Sequence, residues 1–137
     1  MHFVKVLGSA LLVVAMILPP AMGHATGRTQ STGWVTPTDL KTFSNRMKAE
    51  HMMPVKVACR GDSRSTVIRD SMMINMTFEP NTDHRHWYWK WGRNFGRSKH
   101  ILLKKGWTLV SQSGFTRPKT GLYVPCGVFL APLRQNG

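Results

Sequence analysis

Residues 83–92 (DHRHWYWKWG) carry the densest chemistry in this 137-residue chain. Trp87, Trp89 and Trp91 occupy alternate positions, so an extended strand would bring them to one face and His84, His86, Tyr88 and Lys90 to the other. An exposed tryptophan stripe would stack on sugar rings, nucleobases or lipid headgroups. Basic side chains at Arg85, Lys90, Arg93 and Arg97, with Lys99 and Lys104 further on, would hold phosphate or carboxylate groups beside it. The competing reading is that the stripe is the core-facing side of a strand, because large aromatics in small domains are mostly buried. Exposure of the three rings separates the two.

His84 and His86, next to Asp83, project from the face opposite the tryptophans, and two imidazoles at that spacing are a start on a zinc or copper site. A full site needs two further ligands, for which only His51 or His100 is at hand. Met47, Met52, Met53, Met72, Met73 and Met76 would be soft ligands for copper(I), but Met47, Met72 and Met76 fall on apolar stripes where methionine fills a core. The expectation is therefore no dedicated metal, with His84 and His86 as the candidates if one exists.

Enzyme templates find little to rest on. The six acidic residues show no spacing that marks a glycosidase pair. No Gly-x-Ser-x-Gly elbow, phosphate loop or Cys-x-x-Cys pair is present, and no cofactor motif either. Arg60-Gly61-Asp62-Ser63 has the composition of a turn, and Asn75-Met76-Thr77 matches a glycosylation acceptor inside an expected strand.

Cys59 and Cys126 are the only two cysteines. Each falls on the apolar face of an expected strand, and pairing is expected if the protein leaves the cytoplasm. Residues 1–25 point to that route. Lys5 supplies a positive start, residues 6–18 are an apolar run, Pro19 and Pro20 break it, and Ala21, Gly23 and Ala25 supply small residues for cleavage. The run is too short to span a bilayer as a helix. The segment has the form of a short bacterial export signal, leaving a mature protein without a transmembrane span in the periplasm or outside the cell.

The chain holds 19 Lys and Arg against 6 Asp and Glu, a formal net charge of +13. Removing residues 1–25 takes only Lys5 and leaves +12. The distribution is lopsided: Asp83 is the last acid, and ten Lys or Arg follow it. Charge of one sign over so long a stretch suits a partner with many anionic groups. Outside the cytoplasm these are lipid headgroups, lipopolysaccharide, acidic glycans and nucleic acid.

The elements that would position these residues form a helix–strand–strand unit used twice. Residues 26–34 read as a flexible polar leader, and one α+β domain fills residues 35–133. Thr36 caps a helix over 37–50, with Pro37 in its first turn, Asp39 as capping-box partner, and Val35 and Leu40 as a hydrophobic staple. Strands are expected at 54–59 and 67–78 around a turn at 60–65. A third extended stretch covers 84–91. A second helix at 95–105, capped by Asn94 and stopped by Gly106, precedes strands at 107–113 and 121–130 around a turn at 114–118. A shift of 55 residues lays Leu40 on Phe95, Met47 on Leu102 and Val55 on Val110, the pattern of an internal duplication. The expected architecture is an antiparallel sheet packed on two helices.

The function expected from these residues is binding: an exported cationic protein contacting an anionic envelope component or glycan through a basic, Trp-rich surface. A small cell-wall-directed hydrolase or hydrolase inhibitor, and a periplasmic metal-binding protein, are the alternatives.

Overall fold

The computed structural model describes residues 28–62 and 72–134; the expected export segment, Ser63 to Ser65 of the expected first turn and residues 67–71 of the second expected strand lie outside them. In chain order the elements are β1 (Gln30–Ser31), α1 (Pro37–Ala49), β2 (Met52–Gly61), β3 (Met72–Pro80), β4 (Trp87–Trp91), α2 (Phe95–Lys104), β5 (Thr108–Thr116) and β6 (Tyr123–Leu130). The fold is a small α+β domain, as expected, with its strands in two antiparallel three-stranded sheets. Among the described residues no helix is long and apolar enough to cross a membrane.

The start of α1 follows its sequence signals. Thr36 Oγ1 accepts from the Asp39 amide at 3.2 Å, Pro37 opens the first turn, and Leu40 is fully buried against the sheet. β3 then alternates strictly. Met72, Ile74, Met76 and Phe78 point inward with no exposure, while Met73, Asn75 and Thr77 are half-buried on the other face.

The two halves of the chain repeat one topology. β1-α1-β2-β3 gives a sheet of order β1-β3-β2, and β4-α2-β5-β6 gives one of order β4-β6-β5. In each half the register slips once on the strand after the helix, at Val55 between Pro54 and Lys56 and at Val110 between Leu109 and Ser111. A phenylalanine stands opposite the residue before each slip, Phe78 in one half and Phe129 in the other. Each packs against a helix phenylalanine, Phe43–Phe78 at 5.6 Å and Phe95–Phe129 at 5.9 Å between ring centroids. The unit is thus strand–helix–strand–strand, one strand longer than the expected repeat.

Three further details differ from the sequence reading. Gln30 and Ser31, expected in the flexible leader, pair with Phe78 and Thr77 on the open edge of β3. One sheet becomes two because β2 and β5 meet without a continuous ladder; the Val57 amide instead donates to Ser111 Oγ at 3.1 Å. Gly114 and Phe115, expected in a turn, belong to β5. The chain reverses beyond them, where the Arg117 amide donates to Leu122 O at 2.8 Å, and the Tyr123 side chain lies against Gly114. β6 is central, as its density of apolar residues suggests, although it contains Pro125. The N and C=O of a strand residue point to the same side, and the Pro125 carbonyl faces Gly92, just beyond the end of β4. The missing donor therefore falls where there is no ladder bond to lose.

One core joins the halves. Leu40 and Met47 from α1 and the inner face of β3 meet Trp87, Val124, Cys126, Val128 and Leu130. α2 approaches β6 so closely that a Cβ on Gly127 would lie 2.8 Å from the Phe95 ring. The expected disulfide is present: Cys59 of β2 and Cys126 of β6, Cα atoms 6.5 Å apart, tie the first repeat to the second. A disulfide is compatible with an extracytoplasmic location.

Candidate functional site

β4 is an edge strand, and its alternation decides the fate of the aromatic stripe. The tryptophan face turns inward. Trp87 is 7% exposed, its indole N–H donates to the Met52 carbonyl at 3.0 Å, and its ring meets Phe78 edge-on at 5.8 Å. Trp89 and Trp91 are half-buried against the same core. The exposed stacking surface offered by the sequence is therefore corrected at Trp87, which is core. The outward side of the strand presents the exposed Tyr88 and the half-buried Lys90.

The basic residues expected beside the stripe divide into two groups. Lys99 is half-buried and donates to Gln112 Oε1 at the surface of β5, at 3.1 Å. Arg93, Arg97 and Lys104 are exposed, as are His100 and Lys105. At 100° per residue, Arg97, His100 and Lys104 form one outward stripe. Phe95 is the single buried residue of α2. Asn94 precedes the helix but makes no side-chain cap bond, unlike Thr36 at α1.

Ile101 and Leu103, 42% and 45% exposed, flank the cationic stripe. Sequence reasoning did not single them out, yet the signal was there. Ile101, Leu102 and Leu103 are consecutive, and three consecutive helix positions sweep about 200°, so they cannot share one buried face.

A second group lies at the other histidines. Residues 81–86 connect β3 to β4, and Asn81 holds that loop in shape: its Nδ2 donates to Arg85 O at 2.8 Å, and its Oδ1 accepts from the Arg85 amide at 2.9 Å. Arg85 Nε donates to the Ala131 carbonyl at 2.8 Å, and an Arg134 guanidinium N–H donates to His86 Nε2 at 3.1 Å. Two adjoining clefts open here, of about 340 and 270 Å³, and His84, Arg85 and His86 line both. Asp83 and Arg134 border the first, and Lys48 and His51 the second. Lys48 Nζ is set 4.7 Å over the Trp87 ring.

His51 and His84 meet edge to face, 5.6 Å between ring centroids. Among the described residues they are also the two non-glycines with positive φ, 55° and 50°. His51 follows the C-cap of α1 as Gly106, with φ 80°, follows that of α2, 55 positions later. The second repeat uses glycine where the first holds a histidine in a conformation that costs about 1 kcal/mol more. The sequence reading considered His51 only as a spare metal ligand. Its position, straight after a helix with no glycine to end it, was the available sign.

No three His, Cys, Asp or Glu side chains among the described residues come together as a metal-binding set. His84 and His86 therefore stand without a third ligand. No family model matches the chain, and no characterised protein or solved structure is significantly similar to it.

Proposed function

We propose that this is an exported, non-enzymatic cationic protein that docks on an anionic lipid surface of the cell envelope through the outward face of α2. One observation carries the reading: α2 buries Phe95 alone and turns Arg97, His100 and Lys104 outward between exposed Ile101 and Leu103. Cations flanked by apolar side chains match an amphiphile, whose anionic headgroups overlie acyl chains, better than they match a glycan or a nucleic acid. With no acid after Asp83, nothing in the second half of the sequence neutralises that face locally. Export rests on residues 1–25 and agrees with the Cys59–Cys126 bridge.

The expected affinity is modest. Each Lys or Arg near an anionic surface contributes about 1 kcal/mol, so Arg93, Arg97, Lys104 and Lys105 together supply ~4 kcal/mol. Covering the exposed halves of Ile101 and Leu103 adds about 1 kcal/mol each. The sum corresponds to a dissociation constant of roughly tens of micromolar in accessible lipid.

Co-sedimentation with vesicles tests this. The protein is expected to bind phosphatidylglycerol-containing vesicles, to spare pure phosphatidylcholine, and to come off as salt rises from about 0.1 to about 0.5 M. Joint replacement Arg93→Gln, Arg97→Gln and Lys104→Gln is expected to weaken binding on the order of 100-fold. Replacing Ile101→Ser with Leu103→Ser should weaken it roughly tenfold or more. Wild-type affinity in both variants, or equal binding to neutral vesicles, would overturn the proposal. Retention on an acidic polysaccharide or oligonucleotide without vesicle binding would overturn it in favour of those partners.

A further inference from the structure

We propose that the clefts between the α1–β2 turn, the β3–β4 loop and the C-terminal segment form a binding site for a phosphoryl group. Lys48, Arg85 and Arg134 bring three cationic side chains to adjoining walls, and His51, His84 and His86 add ring N–H donors. Asp83 is the one carboxylate lining the first cleft, so the net character of the site is cationic. Tetrahedral oxyanions with several charged oxygens suit such a set, because guanidinium and imidazole donors converge from different directions.

The donors are held in place before any ligand arrives. Asn81 and the Ala131 carbonyl fix Arg85 at its backbone and at Nε, leaving its terminal nitrogens to the clefts. The Trp87 ring holds Lys48, and Arg134 reaches His86. His51 and His84 keep left-handed backbones to set their rings edge to face. Gly106 shows that the turn after the helix in this fold works with glycine, so the histidine at position 51 is there for its side chain.

This site is separate from the outward face of α2, and the two stand or fall independently. Titration of the full mature protein with inorganic phosphate, followed by histidine ring and amide chemical shifts, provides the test. Saturable shifts at His51, His84 and His86 are expected below about 10 mM phosphate, the range of a weak single-group site. His51→Gly is expected to unfold at the same temperature or higher, since it relieves the strained backbone, yet to bind phosphate several-fold more weakly. Lys48→Met keeps the packing on Trp87 and should weaken binding about tenfold through loss of one charge. The Arg93, Arg97 and Lys104 variant should bind phosphate as wild type does. Glycerol 3-phosphate and phosphatidic acid vesicles, compared as ligands of the Arg93, Arg97 and Lys104 variant, tell a soluble phosphomonoester from a lipid headgroup, and saturable shifts at His51, His84 and His86 with either support the site. Absence of saturable shifts, or phosphate affinity unchanged in both His51→Gly and Lys48→Met, would overturn it.

Discussion

Removal of the Cys59–Cys126 bridge, by reduction or by Cys59→Ala with Cys126→Ala, is expected to lower the unfolding free energy by about 4 kcal/mol. The bridge closes a loop across 67 positions of sequence. In the loop-closure treatment that length sets the entropy the unfolded chain regains when the bridge is cut. Small domains have only ~5–15 kcal/mol in total, so the change is a large share. The thermal midpoint should fall by about 15–30 °C. The location adds to the argument: Cys59 lies in the first repeat and Cys126 in the second, where β2 and β5 meet without a continuous ladder. Urea unfolding of the oxidised and reduced forms checks this. Coincident midpoints would mean that the shared core alone holds the two sheets together.

Trp87→Ala is expected to cost about 3–5 kcal/mol, the range for emptying a buried aromatic site. The indole is 7% exposed, meets Phe78, and supplies the donor to the Met52 carbonyl. Its loss leaves both a cavity and a buried acceptor without that partner. Trp87→Phe keeps most of the volume and loses the N–H, so about 1–3 kcal/mol is expected. Half-buried Trp91 should tolerate alanine better than Trp87 does. Urea midpoints rank the three variants, and Trp87→Phe should retain wild-type vesicle binding. A Trp87→Ala protein of unchanged stability that had lost its binding would return the tryptophan stripe to the ligand face.

Much of this fold is written in local patterns. Thr36, Pro37 and Leu40 announced α1, whose observed span Pro37–Ala49 differs from the expected one by a single residue. Period-two alternation identified the inner face of β3 and the apolar side of β6, and with them the cysteine pair. What was not legible depended on partners distant in sequence. The alternation of β4 fixes which side chains share a face, but whether that face meets the core depends on where β2 and β3 lie. Gln30 and Ser31 are too few for periodicity to register as a strand.

The repeat was half legible for a specific reason. Residues of β2 and β5 correspond at an offset of 55, as Pro54 and Leu109 do at the register slips. Those of β3 and β6 correspond at 51, as Phe78 and Phe129 do. The second hairpin is shorter, so a single shift loses the match after the first strand of each pair. For the candidate sites, the charge asymmetry pointed to the second half of the chain, while helix rotation sorted its lysines and arginines. Lys99 lies half-buried along the surface to Gln112, and Arg97 and Lys104 are exposed.

An amide chemical-shift map of the protein lacking residues 1–25, titrated with small bicelles containing phosphatidylglycerol, tests the docking claim most directly. Perturbations should concentrate on Arg93, Arg97, His100, Ile101, Leu103 and Lys104, and fade as salt is raised. Perturbations confined to the Trp87–Trp91 strand or to the opposite repeat, or none at low salt, would contradict it.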